Sequence, residues 1–149
     1  MKIVIGGDHA GWELKQALSD KLRSEGHEIV DIGAHAYDAD DDYPDFALAV
    51  GRAVAAGEGE RGVVVCGSGV GASVAANKVR GVRASLCHDT YSARQGVEHD
   101  DLNVLCLGGR VIGWAVAEVI VDEFIRAKFH GTGRYQRRLQ KILDAEEAL

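Results

Sequence analysis

The sequence predicts an α/β fold, a three-layer α/β/α sandwich on a five-stranded parallel sheet, and three observations carry that expectation. Short apolar runs alternate with helix-period segments along the chain. The runs are apolar throughout, as strands covered on both faces require. Glycine and polar clusters follow the carboxyl ends of the runs, where strand would turn into helix. Right-handed crossovers between such units give an open, Rossmann-like sheet. At 149 residues, the chain has the length of a single domain, 1–149.

The strands are expected at Lys2–Ile5, Glu28–Ile32, Gly62–Cys66, Ala84–Cys87 and Val104–Leu107. After the first, Leu14, Leu18 and Leu22 form an i, i+4, i+8 stripe, and Gly26 is placed to end that helix. After the second, Phe46, Val50 and Val54 form another stripe, with Pro44 suited to its first turn. Helices over Ala72–Val79 and Tyr91–Glu98 follow the third and fourth strands, the latter with Thr90 as N-cap. A long apolar helix over Ala115–Lys128 follows the fifth. A last helix, about 134–149, carries Leu139, Ile142 and Leu143 on one side.

Composition narrows the function. Apolar residues make up 46%, charged residues 27%, and the net charge is −6, with no basic run before the C-terminal segment. A nucleic-acid partner needs a basic face, so none is expected. A small anion needs only a few local cations. The apolar start, Met1–Ile5, is too short for a signal-peptide core, and no segment approaches a membrane span. A cytoplasmic location without membrane contact is the expectation. Cys66, Cys87 and Cys106 are odd in number and lack metal-type spacing, so they read as reduced thiols.

Folds of this kind bind ligands outside the carboxyl ends of their strands. Those ends carry Gly7-Asp8-His9-Ala10-Gly11, Gly33-Ala34-His35, Cys66-Gly67-Ser68-Gly69-Val70-Gly71, Cys87-His88-Asp89 and Gly108-Gly109-Arg110. Glycine at 67, 69 and 71 lets the backbone approach a ligand and point N–H groups at an anion. The loop lacks the Gly-Lys-Ser/Thr of a P-loop, and its G-x-G-x-G spacing is not the dinucleotide G-x-G-x-x-G. It also lacks the arginine a cysteine phosphatase needs, because position 72 is alanine. A plain strand-to-helix turn is the ordinary alternative. Cys66 favours a site, since the first turn of a helix sets its thiol in a positive field that favours thiolate, a usable general base.

Other groups read two ways. Asp8-His9 projects into the same crevice or merely caps the next helix. His99 sits at the end of a short helix, where a surface or capping role is common. Arg134 and Arg138, spaced i, i+4, suit a phosphate or form a solvated basic face. Arg110, reached through two glycines, is aimed at the crevice. His88-Asp89 is close enough to shape it. His27, His35 and His130 read as ordinary surface residues, and Cys87 and Cys106 as core.

The blocks at residues 7–11 and 66–71, with Ala76-Asn77-Lys78, Glu98-His99-Asp100-Asp101-Leu102-Asn103-Val104, Gly109-Arg110-Val111-Ile112-Gly113 and Gly133-Arg134 to Arg138, resemble the type B ribose-5-phosphate isomerases. The likeness runs in order over nearly the whole chain. The wider family includes allose-phosphate and galactose-6-phosphate isomerases. It implies an aldose–ketose isomerase of a small phosphorylated sugar, a homodimer or dimer of dimers with active sites shared between subunits, and no metal or other cofactor. The C-terminal helix would then contact the partner subunit.

Carried onto matching positions, the resemblance makes Cys66 the base that moves a proton from C2 to C1, the cysteine type rather than the glutamate type. Backbone N–H groups from Gly67 through Gly69 and Val70 to Gly71 would hold the cis-enediolate oxygen. Ser68 would pass a proton between O1 and O2, and His99 with Asp8 would open the furanose ring. His9, Arg110, Arg134 and Arg138 would bind phosphate, and Tyr43 would line the sugar pocket. Asp100 departs from the asparagine common in ribose-5-phosphate isomerases, which brings tetrose and hexose phosphates (erythrose 4-phosphate, allose 6-phosphate, galactose 6-phosphate) into range. A non-catalytic phosphosugar sensor is the alternative of another kind. It would need only the arginines and the glycine loop, not Cys66 and His99. A phospho-acceptor receiver is disfavoured, because Cys66 stands where it needs aspartate.

Overall fold

Five parallel strands in the order β2-β1-β3-β5-β4 form one sheet in the computed structural model, which describes residues 1–149. Along the chain they are β1 (Lys2–Gly7), β2 (Glu28–Gly33), β3 (Arg61–Cys66), β4 (Ala84–Leu86) and β5 (Val104–Gly108). The helices are α1 (Trp12–Ser24), α2 (Tyr43–Ala55), α3 (Val70–Ala76), α4 (Thr90–Asp100), α5 (Trp114–Arg126) and α6 (Gly133–Glu147). A short 3-10 turn, His9–Gly11, leads into α1. The expected three-layer sandwich is therefore the observed one.

The interior strands β1, β3 and β5 are almost wholly buried, whereas β2 and β4 are only partly covered. Coverage on both faces thus describes the middle of the sheet, not its edges. On one face, Leu18 and Leu22 of α1, Val97 of α4 and Ile120 and Phe124 of α5 pack on Ile3, Ile5, Val63, Val65, Leu105 and Leu107. On the other, Ala47, Val50 and Val54 of α2 and Ala72 and Ala76 of α3 pack on Val4, Val64 and Cys106. Each large side chain removed from water here contributes about 1.5–3 kcal/mol.

The ends of the elements follow local chemistry. Gly26, at φ 91°, closes α1 as the sequence suggests, with the His27 N–H donating to Leu22 O. Thr90 is not the cap of α4; Asp89 is, its Oδ1 accepting the Ser92 N–H at 2.7 Å. The carboxylate three residues back reaches the free N–H better than a threonine already inside the helix. Helix α3 starts earlier than expected and stops at Ala76. There Asn77 donates from Nδ2 to Ser73 O and Ala84 O and accepts the Ala84 N–H, tying the helix end to edge strand β4. The Arg61 guanidinium donates to the Phe124 and Ala127 carbonyls at the end of α5.

Helix α6 lies outside the two helical layers. It packs against α4 of its own chain, buries Leu139, and ties down through Glu146 Oε1, which accepts the Gly81 N–H at 2.9 Å. No helix is long and apolar enough to cross a membrane.

Candidate active site

Strands β1 and β3 are neighbours, but α1 after β1 and α3 after β3 lie on opposite faces of the sheet. Chains leaving adjacent strands in opposite directions open a crevice at the carboxyl ends. It holds a cavity of about 440 Å³ lined by Asp8, His9, Ala10, Tyr43, Cys66, Gly67, Ser68, Gly71, Arg110 and Val111. A second cavity of about 540 Å³ adjoins it and shares His9, Ala10 and Arg110.

Cys66 ends β3, is buried, and its Sγ accepts the Gly69 N–H at 3.1 Å. Gly69 stands at φ 82°, and a Cβ there would meet Leu86 Cδ1 at 2.6 Å, so this turn requires glycine. A Cβ on Gly71 would sit 2.5 Å from Tyr43 Cζ; the bare backbone lets the phenol ring lie against the loop. The N–H groups of Gly67, Ser68 and Gly71 donate to nothing within the chain, while that of Gly69 is spent on Cys66 and that of Val70 on Ser68 Oγ at 3.3 Å. The available cradle is therefore smaller than the loop sequence suggests. Neither Gly69 nor Val70 lines the cavity, and the Val70 side chain is exposed.

The loop after β5 is fastened to this one. The Gly109 N–H donates to Cys66 O at 2.8 Å and the Arg110 N–H to Gly67 O at 3.0 Å. That carries the Arg110 guanidinium over Gly67, with Nη1 3.8 Å from where a Gly67 Cβ would be. Both readings of Asp8 hold: its Oδ1 accepts the Gly11 N–H at 3.1 Å, and the residue lines the cavity. His88 lines neither cavity; its Nε2 accepts the Gly108 N–H at 3.0 Å. Burial pushes the Cys87 and Cys106 thiols up, most strongly Cys106 inside β5.

His99, Asp100, Arg134 and Arg138 are elsewhere. Helix α4 runs from the carboxyl to the amino end of the sheet, about 16 Å for its 11 residues. His99 thus lies at the far end from Cys66 of the same chain. Its ring is 4.6 Å from that of Tyr135 and 5.5 Å from that of His130, and Nδ1 meets Gln95 Nε2 at 2.9 Å. Exposed Arg134 bonds the Tyr135 hydroxyl at 3.1 Å, which holds its guanidinium above the ordinary value. Arg138 follows one turn later and is also exposed. Asp100 lines a separate cavity between α4, β4 and α6. Each chain therefore carries two distant clusters, one around Cys66 and one around His99.

Asp41 was not legible as a site residue. Lying in the acidic stretch Asp38–Asp42, it reaches His9 across 32 residues, with Oδ1 2.6 Å from Nδ1. Asp8, His9 and Asp41 place donor atoms within 4.8 Å of one another, but the His9 and Asp41 atoms are engaged with each other and Asp8 Oδ1 with Gly11.

A family profile described as Ribose/Galactose Isomerase matches residues 3–142. The chain belongs to that family. Within the ribose/galactose isomerases it is 42% identical over 146 residues to the Escherichia coli ribose-5-phosphate isomerase B, covering 98% of this chain and 97% of that one. The Clostridium thermocellum ribose-5-phosphate isomerase B structure superposes with a TM-score of 0.95 at 47% identity, covering 99% of both chains. That of Mycoplasma genitalium, solved with bound ribulose-5-phosphate, gives 0.93 at 41% identity, covering 99% of this chain and 97% of that one.

Proposed function

We propose that this chain is an aldose–ketose isomerase that interconverts ribose 5-phosphate and ribulose 5-phosphate, with Cys66 as base. The observation that carries the reading is the placement of the Cys66 thiol in a cavity beside unbonded N–H groups, a hydroxyl and a cation. The family membership and the named relatives support the reaction class.

In the open-chain aldose the Cys66 thiolate takes the C2 proton, and the C–H electron pair forms the C1=C2 bond as the carbonyl electrons move to O1. The Gly67, Ser68 and Gly71 N–H groups stabilise that oxygen, each such donor being worth about 3 kcal/mol in a preorganised site. The Ser68 hydroxyl relays the O2 proton to O1. Cys66 returns its proton to C1, leaving the ketose. No step draws on a metal or other cofactor.

Ring opening and the remaining phosphate contacts require the second cluster. A symmetric pair of chains supplies it, with His99, Arg134 and Arg138 of one copy facing Asp8 and Arg110 of the other. A homodimer with shared sites is therefore part of the reading.

The test is an isomerase assay on ribose 5-phosphate, erythrose 4-phosphate, allose 6-phosphate and galactose 6-phosphate, with EDTA present and Cys66→Ala as control. Preference for ribose 5-phosphate is expected, with kcat lost by about 10²–10⁴-fold in Cys66→Ala. Asp100 in place of asparagine is the one observation favouring another chain length, and preference for a tetrose or hexose phosphate would establish that. No turnover of any sugar would leave the sensor reading.

A further inference from the structure

The contact between His9 and Asp41 is closer and more buried than a surface loop needs. Asp41 Oδ1 lies 2.6 Å from His9 Nδ1 and also accepts the His9 backbone N–H at 3.1 Å. Only 10% of the Asp41 side chain is exposed, and its Oδ2 is buried without any partner. Buried carboxylate oxygens left unmatched are rare, and each demands a reason.

The loop that presents Asp41 is held at several points. Lys15 Nζ grips Ala34 O at its start, the Asp41 N–H donates to Asp38 O at 3.2 Å, and α2 begins immediately after it. The carboxylate therefore meets the imidazole from a fixed frame. Its acceptor oxygen at Nδ1 selects the tautomer with hydrogen on that nitrogen. Nε2 has no hydrogen-bond partner in the chain, and His9 lines both cavities, as Arg110 does.

We propose that Asp41 is a positioning residue for phosphate binding: it fixes the orientation and tautomer of His9 so that Nε2 and the Arg110 guanidinium converge on one anionic group. With Nδ1–H held by the carboxylate, Nε2 meets a phosphate oxygen through one hydrogen shared between them. The buried carboxylate thereby directs Nε2 where a free histidine would offer a rotating ring. The inference rests on the phosphosugar reading and deepens it.

The experiment uses the full chain, with Asp41→Ala and the near-isosteric Asp41→Asn. The ring nitrogens of His9 are followed by ¹⁵N NMR with and without inorganic phosphate, and KM and kcat are measured on ribose 5-phosphate. In the parent chain His9 carries hydrogen on Nδ1, and phosphate shifts its Nε2 signal. Asp41→Ala is expected to redistribute the tautomer and to raise KM and the phosphate inhibition constant about tenfold together, with kcat changed far less. Asp41→Asn, which still accepts from Nδ1–H, keeps the tautomer but recovers only part of the affinity. An unchanged His9 spectrum in a folded Asp41→Ala chain, or an unchanged KM, overturns the role of Asp41 alone. A parent His9 that ignores phosphate overturns the phosphate reading and the inference with it.

Discussion

The Lys15 ammonium, with no exposed surface, lies 2.8 Å from Asp31 Oδ1. It also donates to Ala34 O at 2.7 Å, so one buried cation on α1 joins the end of β2 to the loop that bears Asp41. Removing one partner of such a pair leaves a charge and a carbonyl without compensation. Lys15→Met is expected to cost about 3 kcal/mol in urea denaturation. Pairing it with Asp31→Asn should return part of the loss, because the stranded carboxylate is then gone. Additive losses in that double-mutant cycle would show that the two groups do not act as a pair.

The separation of the Cys66 and His99 clusters makes a sharper test of shared sites than any single variant. A mixed dimer of one Cys66→Ala chain and one His99→Ala chain collects both lesions in one site and leaves the other intact. Roughly half of the parent activity is therefore expected per mixed dimer, although each homodimer is nearly silent. Sites built within single chains would leave every site damaged, and mixing would restore nothing.

Thiol chemistry should single out Cys66. Burial pushes the Cys87 and Cys106 thiols up, which keeps them protonated and sluggish even though Cys87 lines the cavity beside α6, whereas Cys66 lines the crevice at the strand ends. Iodoacetamide at neutral pH is expected to modify Cys66 first, with parallel loss of activity, and phosphosugar is expected to slow both. Peptide mass mapping that finds Cys87 labelled first would contradict this assignment of the reactive thiol.

What could be read from the sequence was whatever neighbouring residues determine. Apolar runs placed all five strands within a residue or two at each end, and the glycine loop after Cys66 lay where the strand-end rule puts ligands. Contacts between distant segments had no such signature. Asp41 sits among acidic neighbours that look solvated, and only the fold brings it to His9. Gln95 and His130 likewise carry no local signal, yet they pack around His99. Spending of the Gly69 and Val70 N–H groups inside the loop depends on how the turn closes, which spacing alone does not determine.

The capping carboxylate of α4 gives a pH-dependent test. Hydrogen bonds from Ser92, chiefly its backbone N–H, hold the Asp89 carboxyl below its ordinary value of 3.8. A carboxyl depressed in the folded state stabilises fully above its unfolded value, and that contribution fades as pH falls through the folded one. Asp89→Ala is therefore expected to lower the urea midpoint most at pH 6, with the gap to the parent chain narrowing below about pH 4. Asp89→Asn caps the same N–H without titrating, so it should lose less at pH 6 and nearly match the parent in acid. A gap that stays constant from pH 6 to pH 3 would mean that the charge on Asp89 contributes nothing to α4, and that the cap works by shape alone.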